Sequence, residues 1–380
     1  MTSQVSVILP TFNRADLIAE TLDSLLVQTR PVNQILVVDD GSTDGVKDVV
    51  LRYADKVTYV RQENGGKSRA LNFGMTLATG DYIWICDDDD LLEPDACERL
   101  AGALDEDPLI GFCAGRHDDF TVDPLTGEQR IKAPGYWLAS KPEEIFPDLL
   151  DGCHIFQPGM IVRRSVYAAV GEFNPDFIRS QDYEMLLRIA RNARGRLCPE
   201  RVCLHREHSG ARGSAKMRFT PEQNNEKWMK FHRMIFDPLM ADLSDDELLA
   251  PAVWLMPEVA RVRARVALLK RGRVFARHMM WPEALATFTE AARLHVDVPL
   301  SEVEKTLIAG ATTYSFGCAP LYEVPAHRAA IMALKTVSPV GRSLAVLISR
   351  SLHWRIRNAA GRGQFGLAMK LTAFAVSSRV

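Results

Sequence analysis

Four short apolar runs punctuate the first hundred residues: Val5-Ser-Val-Ile-Leu, Ile35-Leu-Val-Val, Val57-Thr-Tyr-Val and Tyr82-Ile-Trp-Ile-Cys86. They are nearly continuous and rich in β-branched and aromatic residues, as strands covered on both faces must be. Between them, Leu17, Ile18, Leu22, Leu25 and Leu26 trace one helical face, and Val46, Val49, Val50 and Tyr53 trace another. Such alternation predicts βαβ units wound right-handed around a parallel sheet. Open sheets of this kind bind ligands beyond the carboxyl ends of their strands, so the polar residues that follow each run are expected to share one crevice.

The chain has 380 residues, 47% of them hydrophobic, which is enough for two ordinary domains with real cores. It carries 46 Lys plus Arg against 48 Asp plus Glu, a balance that excludes disordered and fibrous classes and gives no overall pull toward nucleic acid. The longest uncharged stretch, Thr306–Tyr322, has 17 residues and carries Gly, Ser, Thr and Pro, so it is no spanning helix. The N-terminus has no signal-peptide pattern and the seven cysteines are scattered, and both features lead us to expect a cytoplasmic protein.

The second half has a different texture. Residues 111–220 are less regular, with a turn at Asp123-Pro-Leu-Thr-Gly127 between two extended pieces and an amphipathic helix from Glu184. From about 221 the pattern becomes long, Ala-, Leu- and Arg-rich helices, and a domain boundary is expected near 240. This gives a domain over 1–240, with a regular half to about 110 and a less regular one over 111–220. A helical region follows over 241–380. Within it, Leu268, Gly272, Phe275, Ala284, Phe288 and Ala291 have the spacing of one tetratricopeptide repeat, but no second copy follows, so an ordinary helical hairpin is expected. The tail 324–380 holds nine Lys or Arg and no acid, with apolar residues between them, as in Leu344-Ala-Val-Leu-Ile-Ser-Arg. That pattern suits peripheral contact with an anionic membrane, and equally a packed helix with solvated arginines.

The strand ends carry the chemistry. Asp87-Asp-Asp-Asp90 follows the fourth run directly, and four adjacent carboxylates require positive charge nearby. Hard oxygen ligands there suit Mg²⁺ or Mn²⁺ shared with a phosphate-bearing substrate. The second run ends in Asp39-Asp40-Gly-Ser-Thr-Asp44, where either Asp39 or Asp40 suits a base or ribose, and Ser42 and Thr43 read as helix N-caps. The first ends in Pro10-Thr11-Phe12-Asn13-Arg14. The third leads to Asn64-Gly-Gly-Lys67-Ser-Arg69, where Lys67 and Arg69 open a helix that can meet a diphosphate.

In series, these pieces make residues 5 to about 215 resemble a family 2 glycosyltransferase of the GT-A fold. The matching segments are Val5-Ser-Val-Ile-Leu-Pro-Thr-Phe-Asn, Val-Val-Asp39-Asp40-Gly-Ser-Thr-Asp, Asn64-Gly-Gly through Ala70-Leu-Asn72, and Gly80-Asp-Tyr-Ile with Asp87-x-Asp89. Pro158-Gly-Met-Ile-Val-Arg-Arg, Val170-Gly-Glu-Phe173 and Gln181-Asp182 also match, with Gln181 where the family usually has Glu. The resemblance implies inverting transfer from a nucleotide-diphosphate sugar to a hydroxyl of a glycan or lipid-linked acceptor, with a divalent metal. It places Asp89, Asp87 and His208 at the metal, Asp182 as general base, and Asp40 with Asp39 at the base. Pro10, Thr11, Asn13, Lys67, Asp87, Asp88 and Arg206 then line the nucleotide-sugar site, with UDP as the default nucleotide. His205 competes with His208, and Ser209–Lys216 has the composition of a lid over phosphates.

Other readings are weaker. Cys198, Cys203, His205 and His208 lack the separated ligand pairs of a zinc site. A nucleotidyltransferase needs a Gly-rich triphosphate loop after the first strand, which Pro10–Arg14 does not supply. A scaffold acting through the helical region is the remaining alternative, and the same region suits a homo-oligomer interface.

Overall fold

The computed structural model describes residues 3–123, 125–207, 221–313 and 318–377. The chain divides into two compact units: 1–146 with 153–219, and 147–152 with 220–380.

The first unit is built on a nine-stranded mixed sheet. Its strands are β1 (Val5–Thr11), β2 (Gln34–Asp39), β3 (Thr58–Arg61), β4 (Tyr82–Ile85), β5 (Leu91–Leu92), β6 (Ile110–Val122), β7 (Gln129–Pro134), β8 (Met160–Arg163) and β9 (Arg194–Arg206). Their order is β3-β2-β1-β4-β8-β6-β9-β5, with β7 paired to β6. The first four strands are parallel, as expected, and run on in register, Ser6 against Gln34 and Val5 against Tyr82. Helices α1 (Ile18–Leu26), α2 (Val46–Leu51), α3 (Lys67–Leu77) and α4 (Ala96–Glu106) fill the crossovers, α5 (Ile145–Asp151) belongs mostly to the second unit, and α6 (Arg164–Val170) and α7 (Gln181–Asn192) lie between β8 and β9. Val7, Leu9, Val37 and Trp84 from the strands pack with Leu22, Val50 and Leu100 from the helices into one fully buried core.

The region that looked irregular holds the two longest strands. β6 and β9 run parallel, with register shifts at Gly115/Arg116 that absorb Pro199 and Glu200. Glycines are demanded by packing here: a Cβ at Gly195 would lie 2.2 Å from the Phe112 ring, and one at Gly115 would lie 2.6 Å from Val202. The Asp123 turn joins β6 to β7 as a hairpin, closed by Asp123 N–H to the Glu128 carbonyl at 2.9 Å.

The second unit is helical: α8 (Pro221–Asp242), α9 (Pro251–Trp254), α10 (Pro257–Ala260), α11 (Arg263–Arg277), α12 (Trp281–Ala291), α13 (Glu302–Gly310), α14 (Ala319–Glu323), α15 (Pro325–Val337), α16 (Pro339–Ser351), α17 (His353–Gly361) and α18 (Phe365–Ser377). α11 and α12 form the expected hairpin, closed by Phe288 over Gly272, where a Cβ would lie 2.3 Å from the ring. Arg265 and Glu304, both fully buried, pair at 2.6 Å. Arg265 also donates to the carbonyls of His295 at 2.7 Å and Val298 at 2.9 Å, so one side chain ties α11 to the α12–α13 connection and to α13. Segment 147–152 belongs to this unit through Asp151. Its carboxylate receives Lys270 at 2.8 Å and Arg273 at 2.9 Å, and its carbonyl receives Arg277. Burial alone would raise the Asp151 carboxyl, but these three cations hold it below the usual range.

Burial pushes His232 down to about 4 and drives His278 well below its ordinary value, the His278 ring stacking on Phe236 at 3.7 Å. The unfolded chain therefore binds protons between pH 6.5 and about 4 that the folded unit does not, and stability falls as pH drops through that window. For His232 the slope is about 1.4 kcal/mol per pH unit at most. Melting curves at pH 7.5 and pH 5 should show it, and His232→Leu should flatten the loss. An equally steep loss in that variant would assign the effect to other groups.

Candidate active site

β1, β2 and β4 end together, and their polar residues meet where the topology requires. The β1 end is fixed by Asn13, whose positive φ of 54° turns the chain out of the strand. Its side-chain oxygen accepts from Thr43 N–H at 2.8 Å, and its own N–H donates to the Ser42 hydroxyl at 2.9 Å. This corrects the N-cap reading of Ser42 and Thr43: α2 starts after Gly45, without a side-chain cap, and both residues tie the β1 turn to the β2 turn instead.

Asp39 and Asp40 are both buried and both engaged by protein donors. Asp39 accepts from Ser42 N–H at 2.7 Å, from the Tyr59 hydroxyl and from Arg61 at 2.9 Å. Asp40 accepts from Gln62 at 2.7 Å, from the N–H groups of Gly65 and Gly66 at 2.8 Å each, and from the Asn64 amide at 3.2 Å. Four donors fill the acceptor positions of one carboxylate. Asp40 thus organises the Asn64-Gly-Gly loop, and the two glycine amides are turned to it. Pro10 and Thr11 are buried in the strand, in register with Val38 and Asp39.

The acidic turn after β4 splits into parts. Asp90 faces inward, accepting from Arg206 N–H at 2.9 Å, and burial with the nearby Asp87 and Asp89 pushes its carboxyl well above the ordinary value. Asp87 pairs with Lys67, the first residue of α3. Arg14 lies 4.0 Å from Asp88 and 3.8 Å from Asp89 and supplies positive charge the run needs; nothing in the sequence singled it out. Even so, burial and the neighbouring Asp89 and Asp87 push Asp88 up to about 7, against the pull of Thr11 and Arg14.

Lys67 gathers the site. Burial would lower its ammonium, but Asp87, Asp182 and Asp88 more than offset this and hold it above its ordinary value. Asp182, from the first turn of α7, therefore comes within electrostatic reach of the β4 carboxylates through one shared cation. Its position is built from several ties. Asn72 on α3 exchanges two 2.8 Å bonds with the Phe173 backbone, and Ser68 donates to the Phe177 carbonyl at 3.3 Å. Arg188, one face of α7 down, grips the carbonyls of Val170 at 2.6 Å and Glu172 at 2.9 Å. These bonds tie Ala70-Leu-Asn72 and Val170-Gly-Glu-Phe173 to the approach to α7. Ser180, at φ 59°, precedes α7, so Asp182 stands inside the first turn, accepting from Tyr183 N–H at 2.8 Å. Cys153 lies close enough that Asp182, after burial, raises its thiol further. Beyond it, Gln157 is buried with its Oε1 unpartnered, in a turn held by Trp84 Nε1 donating to the Pro158 carbonyl at 2.7 Å.

One expectation changes. Arg206 is 4% exposed, and its guanidinium donates to the Asp89 carbonyl and to Glu20, both at 2.7 Å, while lying over the Phe120 ring. It braces the acidic turn from within rather than standing ready for a diphosphate. His205 pairs with Asp119 at 2.8 Å, and Cys198 lies against Cys113 with sulfurs 3.3 Å apart, so neither joins a metal cage with Cys203. His208 and Ser209–Lys216 lie outside the described residues.

Among the described residues no three His, Cys, Asp or Glu side chains converge on a metal position. Mg²⁺ and Mn²⁺ need no such cage when they share a phosphate, one or two carboxylates being enough. Asp87, Asp88 and Asp89 are hard ligands of that kind. Three such carboxylates side by side, with Arg14 at 4.0 Å from Asp88 and 3.8 Å from Asp89, are a donor set that fits a divalent cation.

The description of glycosyl transferase family 2 matches residues 6–171. The chain is 30% identical over 196 residues to the uncharacterized glycosyltransferase RT0329 of Rickettsia typhi, covering 49% of this chain and 58% of that protein. It is 37% identical over 116 residues to the uncharacterized glycosyltransferase YibD of Escherichia coli K12, covering 30% and 34%. The chain thus spans less than two thirds of either relative. Among solved structures, S. aureus TarS 1–349 in complex with UDP-GlcNAc is similar over 95% of this chain and 92% of that one, at 16% identity and a TM-score of 0.53, a likeness of fold.

Proposed function

We propose, from the match of residues 6–171 to glycosyl transferase family 2 and the GT-A-type fold around them, that the protein moves a sugar from a nucleotide-diphosphate sugar, a UDP-sugar by preference, to a hydroxyl of a glycan or lipid-linked acceptor with inversion. The observation that carries the reading is Lys67, held charged among Asp87, Asp88 and Asp182, groups that start from three separate segments. Inversion is one in-line displacement at the anomeric carbon. Asp182 takes the proton of the attacking hydroxyl, a contribution of about 10²–10⁴-fold. Lys67 and Arg14 are the cations at hand for charge that grows on the departing diphosphate. A divalent ion, Mn²⁺ or Mg²⁺, held by Asp89 with Asp87, would neutralise that diphosphate further. Asp40 shapes the wall beside the base through the Asn64–Gly66 loop, Asp39 does so through Ser42, Tyr59 and Arg61, and direct contact with the base requires Asp40 to release a donor. The sugar falls to His154, Gln157 and Gly159, where the unpartnered Gln157 oxygen suits a sugar hydroxyl.

Calorimetric titration of UDP, dTDP and GDP, each with and without Mn²⁺, into the wild type and Asp89→Ala tests the donor site. The expected result is metal-dependent binding of one nucleotide that the variant loses. No binding of any nucleotide to folded protein would overturn the reading.

A further inference from the structure

α18 is apolar on two sides. Ala368, Leu371, Phe374 and Ala375 point into the helical unit, while Phe365, Met369 and Val376 are 67%, 73% and 53% exposed. At 100° per residue, Phe365, Met369, Thr372, Ala373 and Val376 fall within an arc of about 100°. A helix of this kind is ordinarily buried all round, and here one full face is uncovered. The preceding helix adds to it. α17 ends in a tight turn at Gly363, φ 73°, whose following residue Gln364 donates to the Ala359 carbonyl at 2.9 Å. The turn brings α17 back beside α18, with Trp354 51% exposed. Arg357, Arg362 and Lys370 are exposed on the same two helices and their turn. No acid occurs after Glu323.

We propose that the outer face of the α17–α18 hairpin docks on an anionic lipid surface. Trp354, Phe365, Met369 and Val376 enter the headgroup boundary, and Arg357, Arg362 and Lys370 meet lipid phosphates. Aromatic and aliphatic side chains flanked by cations are the makeup of a helix lying in the plane of a bilayer. Among the described residues no helix is long and apolar enough to cross one, so the contact is superficial. The charge pattern also argues against a second copy as the cover, because two such faces would bring like charges together with no acid between them. Only part of the basic, apolar tail pattern lies on this face: Leu344, Ala345 and Ile348 on α16 are fully buried, whereas Trp354 in the following segment Leu352–Arg357 is outward, as are Phe365, Met369 and Val376 on α18.

The test is cosedimentation of the full chain with phosphatidylcholine vesicles, with and without phosphatidylglycerol. Salt-sensitive binding to the anionic vesicles alone is expected. Phe365→Glu with Met369→Glu should weaken it at least about tenfold, and Arg357→Gln with Arg362→Gln and Lys370→Gln by roughly two orders of magnitude at low salt. All five side chains are exposed, so unchanged melting of both variants is the check on folding. Absence of vesicle binding, or wild-type binding by both variants, would overturn the proposal. So would a dimer in sedimentation velocity that Phe365→Glu with Met369→Glu dissociates. Nucleotide titration of the same variants keeps this separate from the donor site: loss of docking leaves nucleotide binding intact, and failure of the donor reading leaves docking intact.

Discussion

Asp182→Asn should lower the turnover of sugar transfer by about 10²–10⁴-fold while nucleotide affinity stays at the wild-type level. The substitution keeps the shape and the bond from Tyr183 N–H. It removes the proposed proton acceptor, and the lost charge in the first turn of α7 costs about 0.3–1 kcal/mol of stability, far too little to account for such a rate loss. Lys67 keeps Asp87 as its direct partner, so the β4 turn should stay in place. A variant that transfers sugar at the wild-type rate would remove Asp182 from the chemistry and leave it as a helix-start residue. A variant that loses nucleotide affinity as well would point to a structural role through Lys67.

The second large effect lies in the helical unit. Arg265→Leu should destabilise it by about 3–5 kcal/mol, because the fully buried Glu304 would lose its cation. The carbonyls of His295 and Val298 would lose their donor at the same time. For a unit of this size that corresponds to a drop in its melting temperature of roughly 10 °C or more. Arg265→Leu with Glu304→Leu should recover much of the loss, since a buried pair replaced by apolar groups is often close to neutral. Calorimetric scans of the two variants decide it: equal melting of the single variant and the wild type would mean that water reaches Glu304.

The parallel half of the sheet was readable because β1, β2 and β4 are covered on both faces, and such strands announce themselves as short apolar runs. β6 and β9 were not, because their glycines are set by the side chains packed on them, Phe112 on Gly195 and Val202 on Gly115, information held far away in the chain. The site divided the same way. The strand-end carboxylates were legible as a group, but their division of labour was not. Asp40 as a loop anchor, Asp90 as an inward brace and Arg14 as the countercharge follow only from which residues meet. Arg206 misled for a related reason: a charged residue after a strand has no signature that says which way it turns. Ser42 and Thr43 looked like caps because hydroxyls before a helix usually are, and the competing partner was Asn13, some 30 residues earlier.

The six residues 147–152 have a consequence for how the protein is made. They leave the ribosome within the first unit, yet Asp151 finds Lys270 only after a further 119 residues have been added. At about 5–20 residues per second this is a wait of roughly 6–24 s. During that interval a nascent chain carries Leu149, Leu150 and a carboxylate whose three cations do not yet exist. The residues on either side, Phe146 and Cys153, can settle into the sheet domain first, leaving a short loop held open for a helix still to be translated. Synthesis therefore completes the surroundings of this loop only from the far end of the chain, and a chain that stops short of Lys270 leaves the Asp151 carboxylate without its cations.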